Sequence, residues 1–74
     1  MTIEDIAKKD YYKVYVRVIS NIDGCSYDLF YGVFKTIDGK IYALDGERYS
    51  KDELVISFEE FTDKKGNECC TIYI

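Results

Sequence analysis

The pattern of this chain predicts a mainly β domain: a five-stranded antiparallel meander curled into a small SH3-like or OB-like barrel, with a short N-terminal helix. Three observations carry that expectation. Apolar and polar residues alternate with the two-residue period of a strand through 11–19. Asp-Gly recurs at 23–24, 38–39 and 45–46, and Asp-Gly between apolar runs is a strong hairpin signal. The connections are short, and short sequential connections favour antiparallel neighbours. Five such strands curl into a small barrel or pack as a strongly twisted sheet. The alternative is an open antiparallel sheet with the helix across one face.

Each element has a local reason. Thr2-Ile3-Glu4-Asp5-Ile6-Ala7-Lys8-Lys9 reads as a short helix: Thr2 caps it, acids fill the first turn and lysines the last. Ile3, Ile6 and Ala7 share one face, which must pack because two turns cannot stand alone. Tyr11–Ile19 is a half-buried strand with Tyr12, Val14, Val16 and Val18 inward and Tyr11, Lys13, Tyr15 and Arg17 outward. Asn21-Ile22-Asp23-Gly24 is turn chemistry. Tyr27–Thr36 is apolar on both faces, as a central strand would be, and Gly32 lets it bend. Asp38-Gly39 predicts a two-residue type I′ turn into the short strand Lys40–Leu44. Ser50-Lys51-Asp52-Glu53 has capping-box spacing, but the residues after it lack helical period, so it predicts one turn. Leu54–Thr62 follows as a strand with Leu54, Ile56 and Phe58 inward. A polar turn, Asp63–Asn67, leads to Glu68–Ile74, with Cys70, Ile72 and Ile74 on one face.

At 74 residues the chain, 1–74, makes one small all-β domain. Such a domain buries only ~60–65% of its unfolded surface, so its core is small. Its aromatic content, eight tyrosines and four phenylalanines, compensates because each ring buries ~150–250 Å². Histidine is absent, which removes the side chain best suited to proton transfer at neutral pH and the commonest metal ligand.

No constellation for catalysis or cofactor binding emerges. Glu59 and Glu60 are adjacent on a strand, so their carboxylates diverge. Paired-carboxylate hydrolysis needs them facing across a cleft. Cys69 and Cys70 diverge in the same way and have no histidine to activate a thiolate. Cys70 should be inward and Cys69 more exposed. With Cys25 there are three sulfurs and no C-x-x-C, which is poor ground for zinc. The Asn21-x-Asp23-Gly24-x-Ser26-x-Asp28 loop fails the EF-hand spacing. No phosphate-cradling glycine motif occurs. The expectation is therefore no enzyme, no cofactor and no metal.

Three unpaired-looking cysteines and a charged Met1–Asp10, without the apolar core of a signal peptide, point to a reducing cytoplasm. No apolar run is long enough to span a membrane as a helix.

Charge narrows the partner classes. The net charge is −4. Residues 1–40 balance six acids against six bases, so the excess lies wholly in 41–74, with eight acids against four bases. A net-negative domain is repelled by phosphate backbones and attracted to basic surfaces. Tyrosines supply contact area at low entropy cost. The leading expectation is a small acidic interaction protein, an inhibitor or accessory factor that docks on a basic protein surface. Its contact residues would be Asp45, Glu47, Tyr49, Asp52, Glu53, Glu59 and Asp63. In size and charge it is similar to small nucleic-acid mimics such as phage-encoded inhibitors of bacterial nucleases. One alternative is an OB-like module that binds single-stranded nucleic acid through Lys13, Tyr15 and Arg17, with Tyr11 beside them. Another is a β domain that homodimerises through edge strands, since no proline guards them.

Overall fold

The computed structural model describes residues 1–46 and 48–74. A one-turn helix, α1 (Ile3–Ile6), precedes five strands: β1 (Tyr11–Ile22), β2 (Cys25–Ile37), β3 (Lys40–Ala43), β4 (Ser57–Thr62) and β5 (Glu68–Tyr73). They form one open sheet in the order β3-β2-β1-β5-β4. The antiparallel meander is corrected on two points: β3 and β4 lie at opposite edges and do not pair, and β5 pairs with β1 in parallel, so the sheet is mixed. The strand neighbours are those of a five-membered ring opened between β3 and β4, and no barrel closes. The reason is the long connection 44–56. It carries the chain from the β3 edge to the opposite edge, where β4 turns back through 63–67 and β5 slots in beside β1.

α1 and that connection cover one face of the sheet. Ile3, Ile6 and Val55 join Tyr11, Val14, Val16, Phe34, Cys70 and Ile72 in a single buried cluster. α1 keeps its N-terminal acids: the Thr2 amide donates to Asp5 Oδ2 at 2.9 Å. It ends before the lysines, which lie beyond the last turn. The connection is stitched to it by backbone bonds, Ile3 N to Glu53 O and Glu4 N to Lys51 O, both 3.0 Å.

Two assignments of inward residues are overturned. A bulge between Tyr11 and Val14 puts both on the buried face and turns Tyr12 out. Thr36 holds it: its hydroxyl accepts from the Tyr11 amide at 2.8 Å and donates to the Lys9 carbonyl at 2.6 Å. The strand expected from Leu54 starts only at Ser57, and Val55 is the buried residue of that stretch. Leu54 and Ile56 are exposed (Ile56 by 76%), and Phe58 is 38% exposed. Val55 is held from two sides: its amide donates to the Met1 carbonyl at 2.8 Å, and the next amide to Tyr73 O at 2.7 Å.

Two of the three hairpin turns are the tight kind. Asp38-Gly39 has φ of 51° and 78°, and Asp23-Gly24 has 50° and 78°. Positive φ at both central residues is what a type I′ turn requires. The second of these turns leaves Asn21 and Ile22 inside β1 and Cys25 inside β2, lengthening both strands beyond expectation.

Candidate functional site

The acidic set chosen from the sequence divides into separate places. Asp45 and Tyr49 are brought together over β2. Asp45 Oδ2 accepts from the Val33 amide at 2.8 Å, and Tyr49 Oη donates to the same oxygen at 3.1 Å. The Tyr49 ring lies 4.9 Å from that of Phe34. This pair anchors the 44–56 connection. Asp52 and Glu53 are exposed on that connection, beside Glu4 and Asp5 of α1. Glu47 lies outside the described residues. Asp63 builds its own turn, with Oδ1 accepting the Lys65 and Asn67 amides at 2.9 Å each. The Asn67 amide chiefly holds its carboxyl below the usual range. Glu59 is on the other face of the sheet, opposite Thr71.

That other face is open to solvent. By register it carries Lys13, Tyr15 and Arg17 of β1, Lys35 of β2, and Lys40 and Tyr42 of β3. Phe30, Phe61 and Tyr73 add further rings. The cations outnumber the acids there, which are Asp28 and Glu59. Tyr11, expected beside Lys13, instead points into the core. Burial pushes its hydroxyl up to about 12. Tyr15 stacks on Phe61 with ring centres 6.0 Å apart. Arg17 Nε meets Asp28 Oδ1 at 2.6 Å, and Tyr73 Oη donates to Asp28 Oδ2 at 3.2 Å. Ile19, Ser26, Asp28, Ser57 and Tyr73 line a shallow groove of about 310 Å³ there.

Cys69 and Cys70 are both buried, which corrects the expectation of a more exposed Cys69. It lies between Lys13 and Phe61 in the sheet. Burial raises both thiols, Cys70 to about 11, which disfavours the nucleophilic thiolate. Lys9 bridges Glu60 at 2.7 Å and Glu68 at 3.0 Å across the edge of the sheet. Among the described residues, no group of three or more Cys, Asp or Glu side chains is disposed to hold a metal. No described helix is long and apolar enough to cross a membrane.

Sequence reasoning missed an exposed apolar feature. β5 stops pairing with β1 at Arg17, and β3 stops pairing with β2 at Phe34. Beyond those points β1 and β2 continue alone as a two-stranded arm, and the molecule is correspondingly long, 41 × 29 × 23 Å. Ile19, Ile22, Tyr27, Leu29, Phe30 and Tyr31 are each about half exposed on it. The signal was there: 27–34 is apolar on both faces. A central strand explains that pattern, and so does an arm that something else covers.

Comparison with known proteins finds no family model, no curated relative and no solved structure that matches this chain.

Proposed function

We infer that this chain is a non-enzymatic interaction protein, an inhibitor or accessory factor that docks on a basic protein surface through its helix-and-loop layer. One observation carries the reading. The two backbone bonds from α1 to 51–53 set the exposed acids Asp52 and Glu53 beside Glu4 and Asp5. With Asp45, five described acids lie in this layer against Lys8, Arg48 and Lys51. Lys8 is already engaged by Asp5 at 3.2 Å. An acid-rich patch on a small rigid frame offers a basic groove what a phosphate backbone would, which is the physical content of nucleic-acid mimicry. The reading sets this in the cytoplasm, where unpaired thiols stay reduced. Asp45 and Tyr49 then support the layer from beneath, while Asp52 and Glu53 meet the partner.

The test is affinity capture from cells of the source organism with two baits, the wild type and Asp52→Lys/Glu53→Lys. A protein with a basic face, held by the wild type, released by salt and lost from the reversed bait, supports the reading. Equal capture by both baits refutes it.

The open sheet face supports a second reading, binding of single-stranded nucleic acid through Lys13, Tyr15 and Arg17. Its cations and rings are of the kind that track and stack a single strand. The Arg17–Asp28 pair and the overall charge of −4 weigh against it. Salt-dependent binding of a labelled oligothymidine, abolished by Lys13→Glu, would favour this reading over docking.

A further inference from the structure

The root of the β1–β2 arm is touched by Tyr49, whose ring lies 6.2 Å from that of Tyr31, and by Tyr73, which donates to Asp28, but its outer edge is bare. On the outer side of β2, hydrogen bonding ends with β3 and with Leu44 N to Val33 O at 3.0 Å and Val33 N to Asp45. Among the described residues, no further backbone bond reaches 25–31 from that side. A free edge with alternate amides and carbonyls unpaired is a template for another strand. A two-stranded ribbon is marginally stable alone, so its apolar surface calls for a cover.

We propose that a second copy of the chain supplies that cover: two arms join edge to edge along β2, antiparallel about a two-fold axis, and continue the sheet from one copy into the other. Three observations favour a second copy over a foreign strand.

The first is charge. From Val18 to Phe34 the only charged residues are Asp23 and Asp28, and Asp28 is already neutralised by Arg17. Two such arms can meet although each chain carries −4.

The second is self-complementarity, which a two-fold interface demands. Centred on Leu29, the pairing sets Leu29 against Leu29 and runs out at Tyr31, the extra residue of the β2 bulge opposite Val16 and Arg17. Asp28 then faces Phe30, and no like charges are opposed. Shifted by one residue, Asp28 would face Asp28, which costs stability.

The third is area. Half of a ring's ~150–250 Å² is open at each of Tyr27, Phe30 and Tyr31, about 300 Å² per copy. Leu29 and the paired backbone add to this, which places the seam among the weak, transient interfaces below ~1,200 Å² in total.

The experiment is sedimentation equilibrium of the full chain from 1 to 100 µM, with the expected mass twice 8.6 kDa at the upper end. Leu29→Lys should raise the dissociation constant by about a hundredfold, because the change enters twice across the axis. Ile56→Lys, equally apolar and more exposed but far from the arm, should leave it unchanged. A covalent check guards against misfolding. In a Cys25→Ser background, Leu29→Cys places two thiols directly across the axis, within the ~4.4–6.8 Å Cα reach of a disulfide. Diamide, which accepts the two electrons and two protons, should then link the copies. Asp52→Cys should stay unlinked at equal concentration. A wild type that remains monomeric at 100 µM overturns the proposal and leaves the arm to a foreign partner. So does a dimer indifferent to Leu29→Lys, or Leu29→Cys that does not cross-link. None of these results depends on whether Asp52 and Glu53 bind a basic protein.

Discussion

Replacing Gly32 with alanine should destabilise the domain far more than one methyl group suggests. A Cβ at Gly32 would collide with the Tyr49 hydroxyl and with Asp45 Oδ2. Neither atom can step aside without loss. The Tyr49 ring is fixed against Phe34, and the Asp45 carboxylate is held by the Val33 amide. Expelling this clamp breaks the bond from Val33 to a charged acceptor, worth ~1.5–3 kcal/mol. It also weakens the ring contact, worth ~0.5–1.5 kcal/mol. The expected loss is thus roughly 2–4 kcal/mol, against a total near ~5 kcal/mol for a domain of this size. Urea unfolding followed by far-ultraviolet circular dichroism gives the number. Tyr49→Phe removes the nearest obstacle, so the Gly32→Ala/Tyr49→Phe double variant should lose less than the two single changes combined. A Gly32→Ala protein within about 0.5 kcal/mol of wild type, a typical surface effect, would refute the clamp.

Core truncations should separate by register. Phe34→Ala, at a fully buried ring, should cost ~3–5 kcal/mol by the same unfolding assay, while Ile56→Ala, 76% exposed, should fall within about 0.5 kcal/mol. Gly39→Val should lower the melting temperature by several degrees, because a β-branched residue resists the φ of 78° at that turn. Alkaline pH should destabilise the fold through Cys70. Its folded pKa is raised from 9.0 to about 11, so this contribution is complete below pH 9 and is lost as pH rises through 11. Melting curves from pH 8 to 11 should show a decline that is shallower in Cys70→Ala, and parallel slopes would exclude the thiol as a cause. The raised Tyr11 hydroxyl adds a loss of the same sign at higher pH.

Much of the fold was legible because two local signals are strong. Period-two alternation located β1 and β5, and Asp-Gly located the two tight hairpin turns with their positive φ. The misses have physical causes. Tyr11 and Tyr12 are identical neighbours, so a bulge there leaves no trace in the pattern. The Thr36 hydroxyl that selects Tyr11 as the inward ring lies 25 residues away. Leu54-Val55-Ile56 is apolar at three consecutive positions, so alternation admits two answers. Long-range bonds to Met1 and Tyr73 choose Val55. The insertion of β5 between β1 and β4 has no local signature, because parallel pairing is decided by how the 44–56 connection crosses the sheet. Of the acidic set expected to contact a partner, Asp63 spends its carboxylate on a turn. Asp45 likewise spends its own on the Val33 amide.

Charge shows most clearly why position along the chain is a poor guide to surface. The first 40 residues balance to zero, which suggests a neutral half. Folding separates that zero. Lys13, Arg17, Lys35 and Lys40 fall at alternate strand positions and share the open face, while Glu4 and Asp5 sit on α1 across the sheet. Asp45, Asp52 and Glu53 then join α1 on its side. The molecule therefore presents an acid-leaning layer and a base-leaning face from a chain whose halves read as neutral and acidic. Surface charges act over a Debye length of ~8 Å at physiological salt. That is well below the molecule's smallest extent of 23 Å, so a partner approaching either side senses mainly that side. Reversing Asp52 and Glu53 changes the helix-and-loop layer and leaves the lysines of the open face as they were. Reversing Lys13 does the opposite. The arm carries almost no charge and answers to neither, so association through it should show little salt dependence, while binding through either charged side should weaken steeply with salt.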